Sequence, residues 1–421
     1  MNERKTAFDI LLKIEKDKAY SNLLLDSVLT DGKEDSSFVR FLVYGVVERK
    51  ITLDYYLSLY LKQPINKLKP HVLVILRMGA FQLKYMDSVP DFSAVNESVK
   101  LAKQTGCSYA SGLINSVLRR ISEVDTQLPS DDSPESMSIR YSCPEELVSQ
   151  YIGDYGTEDA KGILENALKV PPLYLRVNTF MTDTDKLMSL LDKAGVKSEK
   201  CSLADNALKI TDGNVFESGY ISEGLCYVQD LSSQICAAKL GAVKGETVYD
   251  MCSAPGSKAY TIAQYMENEG LIRAFDLHPH RVELIKKGAA KLGIDIIDAA
   301  VSDSSVFDSS LAKADRVLCD VPCSGLGVIR RKPEIRYKEL SQIGILPDLQ
   351  YNILLCSAEY LKVGGTLIYS TCSLNKKENE SVCDRFLNVN PAFVKTEDYM
   401  TLFPHENDTD GFFIACFTRN E

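Results

Sequence analysis

Two cysteines sit where a thiol could do chemistry. Cys323 closes "DVPC" (320–323), three residues after Asp320, and Cys372 closes "LIYSTC" (367–372). Each follows an apolar run that reads as a buried strand. A thiol attacks only as a thiolate, so a reactive cysteine needs a lowered pKa or a base beside it. A single cysteine is more often a small buried apolar residue. Two at the ends of strands on one rim favour a working pair.

A third stretch, "CSAPGSK" (252–258), follows the strand-like "ETVYDMC" (246–252). Its glycine and proline let a ligand approach the backbone closely. It lacks the G-x-G-x-x-G of a pyrophosphate site and the G-K-[ST] of a Walker loop. Asp276 stands 20 residues after Gly256, a spacing that suits the hydroxyl pair of a ribose. The sum describes an adenosine-type cofactor without a diphosphate, and S-adenosyl-L-methionine fits. Asp276 then takes the ribose, Asp303 the adenine amino group, and the 252–258 loop the methionine end. With two thiols beside it, such a cofactor points to methylation of cytosine at C5. C5 is a poor nucleophile until a thiolate adds at C6 and makes the ring an enamine. Asp320 could hold the cytosine amino edge or a protonated N3. On the residues alone, either cysteine could attack.

These groups need a scaffold that brings them to one edge. From about 225 onward, strand-like runs alternate with helical ones: 246–252, 271–276, 294–303, 315–320 and 364–372, then a last strand at 411–417. That alternation predicts a parallel, doubly wound α/β sheet, which binds ligands beyond the C-terminal strand ends. Upstream, "FVRFLVYGVVERKITLDYYLSLYL" (38–61) and "HVLVILRMGAFQLKYM" (71–86) have helical spacing, and residues 1–125 read as an all-α bundle of about six helices. The polar, proline-containing "DTQLPSDDSPES" (125–136) reads as a linker. A small α+β unit follows. The expected domains are 1–128, 138–224 and 225–421.

Bulk properties narrow the setting. The chain has 421 residues and a net charge of −10, which argues mildly against nucleic acid as a partner. The charge is uneven: residues 1–125 hold 18 basic and 15 acidic side chains, the remainder 30 and 43. A local basic patch therefore remains compatible with RNA. Twelve cysteines without a C-x-x-C pair suggest neither a disulfide scaffold nor a zinc site, and no metal is expected. No signal-like N-terminus or membrane-length apolar run occurs, so a cytoplasmic location with no membrane partner is expected.

"DMCSAPGSKA", "AFDLHPHR", "DVPCSGLGVIRRKPEIRY" and "GGTLIYSTCSLNKKENE" resemble the motifs of RNA (cytosine-5) methyltransferases of the NSUN/RsmB superfamily. "YGVVERKITLD", "RMGAFQLKYMDSVP", "AVNESVKLAK" and "SGLINSVLRRI" resemble the NusB-like domain of the branch that acts on small-subunit (16S) ribosomal RNA. The resemblance spans nearly the whole chain. It implies a class I S-adenosyl-L-methionine-dependent methyltransferase with a Rossmann-like sheet, an all-α NusB-like RNA-binding domain and a small α+β subdomain. It makes Cys372 the nucleophile and gives Cys323 a part in product release. It carries the cofactor loop onto Cys252, Ser253, Ala254, Pro255, Gly256, Ser257 and Lys258, and the acidic contacts onto Asp276, Asp303 and Asp320. Ser253, Ser257 and Ala259 depart from the usual C-A-A-P-G-G-K-[TS] loop, and Val321 replaces a usual alanine. "IRRKPEIRYK" (329–338) offers a phosphate-binding patch through Arg330, Arg331, Lys332 and Arg336, and Arg176 is a further expected RNA contact. Ribosomal RNA is the implied partner, not DNA, and the chain is expected to be a monomer. The alternatives are another RNA such as tRNA, a catalytically silent RNA-binding assembly factor, or a DNA methyltransferase.

Overall fold

The computed structural model describes residues 3–17, 21–28, 36–338 and 344–421, and the chain divides into two compact units. The first joins Met1–Lys169 with the later segment Ile329–Lys338. Its described N-terminal helices are Glu3–Asp17, Ser21–Val28, Ser36–Glu48, Lys50–Ser58, Pro70–Tyr85, Asp91–Gln104 and Ser111–Glu123. The stretch expected to be continuous from 38 to 61 breaks at Arg49, whose backbone leaves helical geometry (φ −98°, ψ 15°). Helix Pro70–Tyr85 is buried without interruption from Val72 to Gln82. A helix buried on every face belongs in the middle of a bundle, and Ile75 and Leu76 pack there with Leu42, Val43 and Leu118.

Three more helices belong to this unit: Pro134–Tyr141, Glu145–Tyr155 and Thr157–Asn166. Ser133 caps the first by accepting the Ser136 N–H at 3.2 Å. That helix is tied to the bundle where Thr52 Oγ1 donates to the Ile139 carbonyl at 2.6 Å and the Ile51 N–H to Ser142 Oγ at 2.9 Å. The compact unit therefore extends past the expected linker to Lys169. Residues 329–338 add a short turn, Pro333–Tyr337. Its Tyr337 hydroxyl donates to the Val47 carbonyl at 3.0 Å.

The second unit, Val170–Val328 with Glu339–Glu421, holds two sheets. The smaller is antiparallel, built from β1 (Leu173–Val177), β2 (Lys197–Lys200), β3 (Ala207–Asp212) and β4 (Cys226–Val228) in the order β2-β3-β1-β4. Helix Thr184–Lys193 packs beside it, capped by Asp183, which accepts the Lys186 N–H at 2.9 Å.

The larger sheet contains β5 (Thr247–Asp250), β6 (Leu271–Asp276), β7 (Ile297–Val301), β8 (Ala314–Asp320) and β9 (Leu361–Thr371), with β10 (Phe393–Lys395), β11 (Met400–Leu402) and β12 (Phe412–Arg419). Its order is β10-β12-β9-β8-β5-β6-β7, and β11 pairs with β12. β5 through β9 are mutually parallel, while β12 runs antiparallel to β9. Val317, Leu318 and Cys319 are fully buried in succession, as expected for a strand covered on both faces. β5 lies between β8 and β6, where the chain order reverses. Ligand clefts in such sheets open at that switch point. Among the described residues, no helix is long and apolar enough to cross a membrane.

Candidate active site

The five parallel strands end along one rim. Asp250, Asp276 and Asp320 are the last residues of β5, β6 and β8; Asp303 lies two residues past β7, and Cys372 directly follows β9. Cys372 and Cys323 meet there, with their sulfurs 3.2 Å apart, and neither is fully buried. The bond shared with Cys323 lowers the pKa of Cys372 and, with the Lys258 charge, outweighs burial and the Asp320 and Asp410 charges, which oppose ionisation. Cys323 is pushed well up, by its bond to Cys372, by burial and by the Glu378 carboxylate. Of the two thiols, Cys372 is therefore the easier to ionise. Cys252, also on this rim, is raised by burial and by nearby Cys319 and Asp250, so it is a poor nucleophile.

Asp320 pairs in register with Ser370 of β9 and accepts its hydroxyl at 2.7 Å. The other Asp320 oxygen takes Lys258 Nζ at 2.7 Å. The Lys258 side chain is only 12 % exposed, and its ammonium lies 5.3 Å from the Phe412 ring centroid. Burial disfavours that charge, yet Asp320 outweighs it and holds the ammonium well above the ordinary lysine range. A permanently charged Lys258 cannot act as a base.

The loop after β5 is pinned on both sides. Met251 N–H donates to the Leu318 carbonyl at 2.9 Å and Ser253 N–H to the Phe275 carbonyl at 2.8 Å. Gly256 turns it with φ 106°, and a Cβ there would lie 2.5 Å from the Tyr260 hydroxyl. That hydroxyl itself donates to the Pro255 carbonyl at 2.8 Å. Asp250 is 1 % exposed, and neither of its carboxylate oxygens makes a well-formed hydrogen bond among the described residues. Burial pushes its carboxyl up to about 7, with the Asp320 charge adding; the Ser253 hydroxyl and Lys258 charge offset this only in part. Asp276 is buried and accepts the His278 N–H at 3.1 Å, with Arg281 3.2 Å from its second oxygen. Asp303 is exposed, and the Ser305 hydroxyl and N–H that it accepts lower its pKa.

Three expected RNA contacts are placed differently. Arg336 is 1 % exposed, and its guanidinium donates to the Ala167 carbonyl at 3.1 Å and to those of Ser142 and Ile329 at 3.3 Å. Arg330 is buried and bonds Asn166 Oδ1 at 3.4 Å. Arg176, also 1 % exposed, bonds Gln264 at 2.8 Å and the Asp205 carbonyl, beneath the Tyr265 ring. Protein oxygens occupy these guanidinium groups, so they do not face solvent phosphates. Arg331 is half-buried and Lys332 exposed.

One residue escaped sequence reasoning. Glu378, fully buried, accepts the Ser324 N–H (2.8 Å), Ser324 Oγ (2.5 Å), Ser373 Oγ (2.9 Å), Asn375 Nδ2 (3.0 Å) and Gln350 Nε2 (2.9 Å). Its only signal was an acid amid "NKKENE", which reads as a solvated helix start.

Known proteins resemble the chain throughout. Residues 237–418 match the family "16S rRNA methyltransferase RsmB/F", residues 1–123 the NusB family, and residues 143–215 an RsmF/B-like ferredoxin-like domain. The probable ribosomal RNA small subunit methyltransferase B of Bacillus subtilis (strain 168) is 36% identical over 99% of this chain and 98% of its own. The crystal structure of PH0851 aligns over 100% of the chain and 99% of its own at TM-score 0.82 and 25% identity. A methyltransferase homolog protein from Pyrococcus horikoshii aligns over 69% of the chain and all of its own at TM-score 0.62 and 28% identity.

Proposed function

Because the chain belongs to the RsmB/F family of methyltransferases, we propose that it methylates C5 of a cytosine in small-subunit ribosomal RNA, with Cys372 attacking and Cys323 assisting release. The observation that carries this reading is the thiol pair itself, with the two sulfurs 3.2 Å apart on the rim where Asp320 is held by Lys258 and Ser370. The family's methyl donor is S-adenosyl-L-methionine. The rim residues fit it: Asp250 offers an ammonium two buried oxygens that lack a well-formed hydrogen bond among the described residues, and Gly256 keeps the loop backbone clear. Asp276 and Asp303 stand at the neighbouring strand ends for the ribose and adenine. When bound, the cofactor supplies an electrophilic methyl group.

The protein's own residues do the rest. Cys372 Sγ forms a bond to C6 of cytosine, and the electron pair moves onto the ring, making C5 nucleophilic. Asp320, held by Lys258 and Ser370, is set to receive the cytosine amino edge or a protonated N3 and steady the added charge. Once C5 carries the methyl group, its proton leaves to a base, the C5–H electron pair forms the C5–C6 double bond and the C6–S bond breaks. Cys323, kept protonated beside the leaving sulfur, can stabilise the thiolate as it departs.

The test uses ribosomal RNA and labelled methyl donor. Cys372→Ala should abolish transfer, and retained turnover would refute the assignment. Cys323→Ala should accumulate a covalent protein–RNA adduct, visible as a shifted band on denaturing gels. A variant that turns over freely with no adduct would remove the release role.

A further inference from the structure

We propose that Glu378 is the positioning residue that sets the spacing of the two thiols. It lies in the loop between β9 and the helix Glu380–Val389. Its carboxylate grips Ser324, directly after Cys323, and Ser373, directly after Cys372. The two serine hydroxyls also touch each other at 2.8 Å. A third element joins through Gln350 of the helix Leu346–Glu359, which donates to Glu378 and, at 3.0 Å, to the Pro322 carbonyl beside Cys323. Thus the residue on either side of Cys323, and the residue after Cys372, are tied to one peg. Five donors converge on two oxygens. Only an acceptor-only group serves all of them, since an amide would turn N–H groups toward N–H groups. The backbone adds direct ties, from Gly327 N–H to the Cys372 carbonyl at 2.9 Å and from Val321 N–H to the Ser370 carbonyl at 3.1 Å. Besides the sulfur contact itself, Glu378 and its serines add side-chain ties between the thiol loops.

The inference rests on the reading of Cys372 as nucleophile only for its importance; its test needs neither RNA nor turnover. The quantity to read is the alkylation of Cys372 by iodoacetamide as a function of pH, followed by mass spectrometry of the peptide that carries Cys372. Cys372 faces Cys323, Asp320, Lys258 and Asp410, and Cys323 faces Cys372 and Glu378. Glu378→Gln alters both geometry and charge, whereas Ser373→Ala keeps the carboxylate and cuts one tie. If Glu378 sets the spacing, both variants should slow Cys372 alkylation near neutral pH about tenfold, as loss of one charge-assisted sulfur contact predicts, and move its midpoint upward. A role limited to stability lowers the thermal midpoint and leaves the alkylation profile in place. An unchanged profile in folded Glu378→Gln overturns the proposal; should that variant not fold, an unchanged profile in Ser373→Ala does so. Failure of the nucleophile assignment is read separately, from turnover of Cys372→Ala.

Discussion

Gly327 is the tightest point in the catalytic rim, and replacing it by alanine makes a sharp test of the site's geometry. A Cβ at this position would stand 1.9 Å from the Gly411 carbonyl oxygen and 2.8 Å from that of Cys372. Ordinary contact begins near 3.5 Å, so the first approach is short by roughly 1.5 Å, and the opposing atoms are backbone that cannot swing aside. The 323–328 loop must move, losing the bonds from Gly327 N–H to Cys372 O (2.9 Å) and from Gly411 N–H to Gly327 O (2.8 Å). Two neutral hydrogen bonds at about 1 kcal/mol each and overpacking of about 1–3 kcal/mol give a destabilisation of about 3–5 kcal/mol. A displacement of that size also separates the sulfurs, and misplacement by about 1 Å can cost around a hundredfold in rate. Urea unfolding reads the first quantity, and methyl transfer to ribosomal RNA under saturating cofactor reads the second. A Gly327→Ala protein with the wild-type midpoint and turnover within twofold of wild type would show that the two loops are not held by this contact.

Two further outcomes follow from buried charges. Asp250 keeps its proton in the folded protein up to about 7, whereas the unfolded carboxyl loses it near 4. The folded state therefore binds more protons across that window, and this group's stabilising contribution falls as pH rises from about 4 to about 7. Asp250→Asn should lack that slope, so wild type loses stability relative to it until the difference levels off near pH 8; parallel urea-midpoint curves would refute the assignment. Arg336→Lys should lower the thermal midpoint by breaking the carbonyl contacts, at about 2–4 kcal/mol, while leaving the salt slope of RNA binding unchanged; a slope reduced by about one would restore Arg336 as a phosphate contact.

The parallel strands were legible because each is an apolar run between turn residues, and β6 falls on the residues read for it. β10 and β11 were not, since three residues carry no period. The loop after β5 and both cysteines were legible as residue types at strand ends. What tunes the two thiols was not, because Lys258 and Glu378 reach the pair from other parts of the chain. Arg330 and Arg336 misled for a related reason. A charged run reads as solvated loop, but helix C-termini leave carbonyls without intrahelical partners. Tyr141 and Ala167 stand at two such ends, and Arg336 satisfies them. Nothing local in the sequence marks that pairing.

The return of residues 329–338 to the first unit bears on how the chain is made. Synthesis runs from the N-terminus at about 5–20 residues per second. The ten helices of Glu3–Asn166 named above emerge early, yet the guanidinium that fills their carbonyl ends arrives only after β5 through β8 have been translated. The first unit thus waits, incomplete, for a piece delivered from beyond the cysteine-bearing loop. A gene cut after Lys169 would encode the bundle without its plug, so the two units are separable on paper but not by a single scission of the chain.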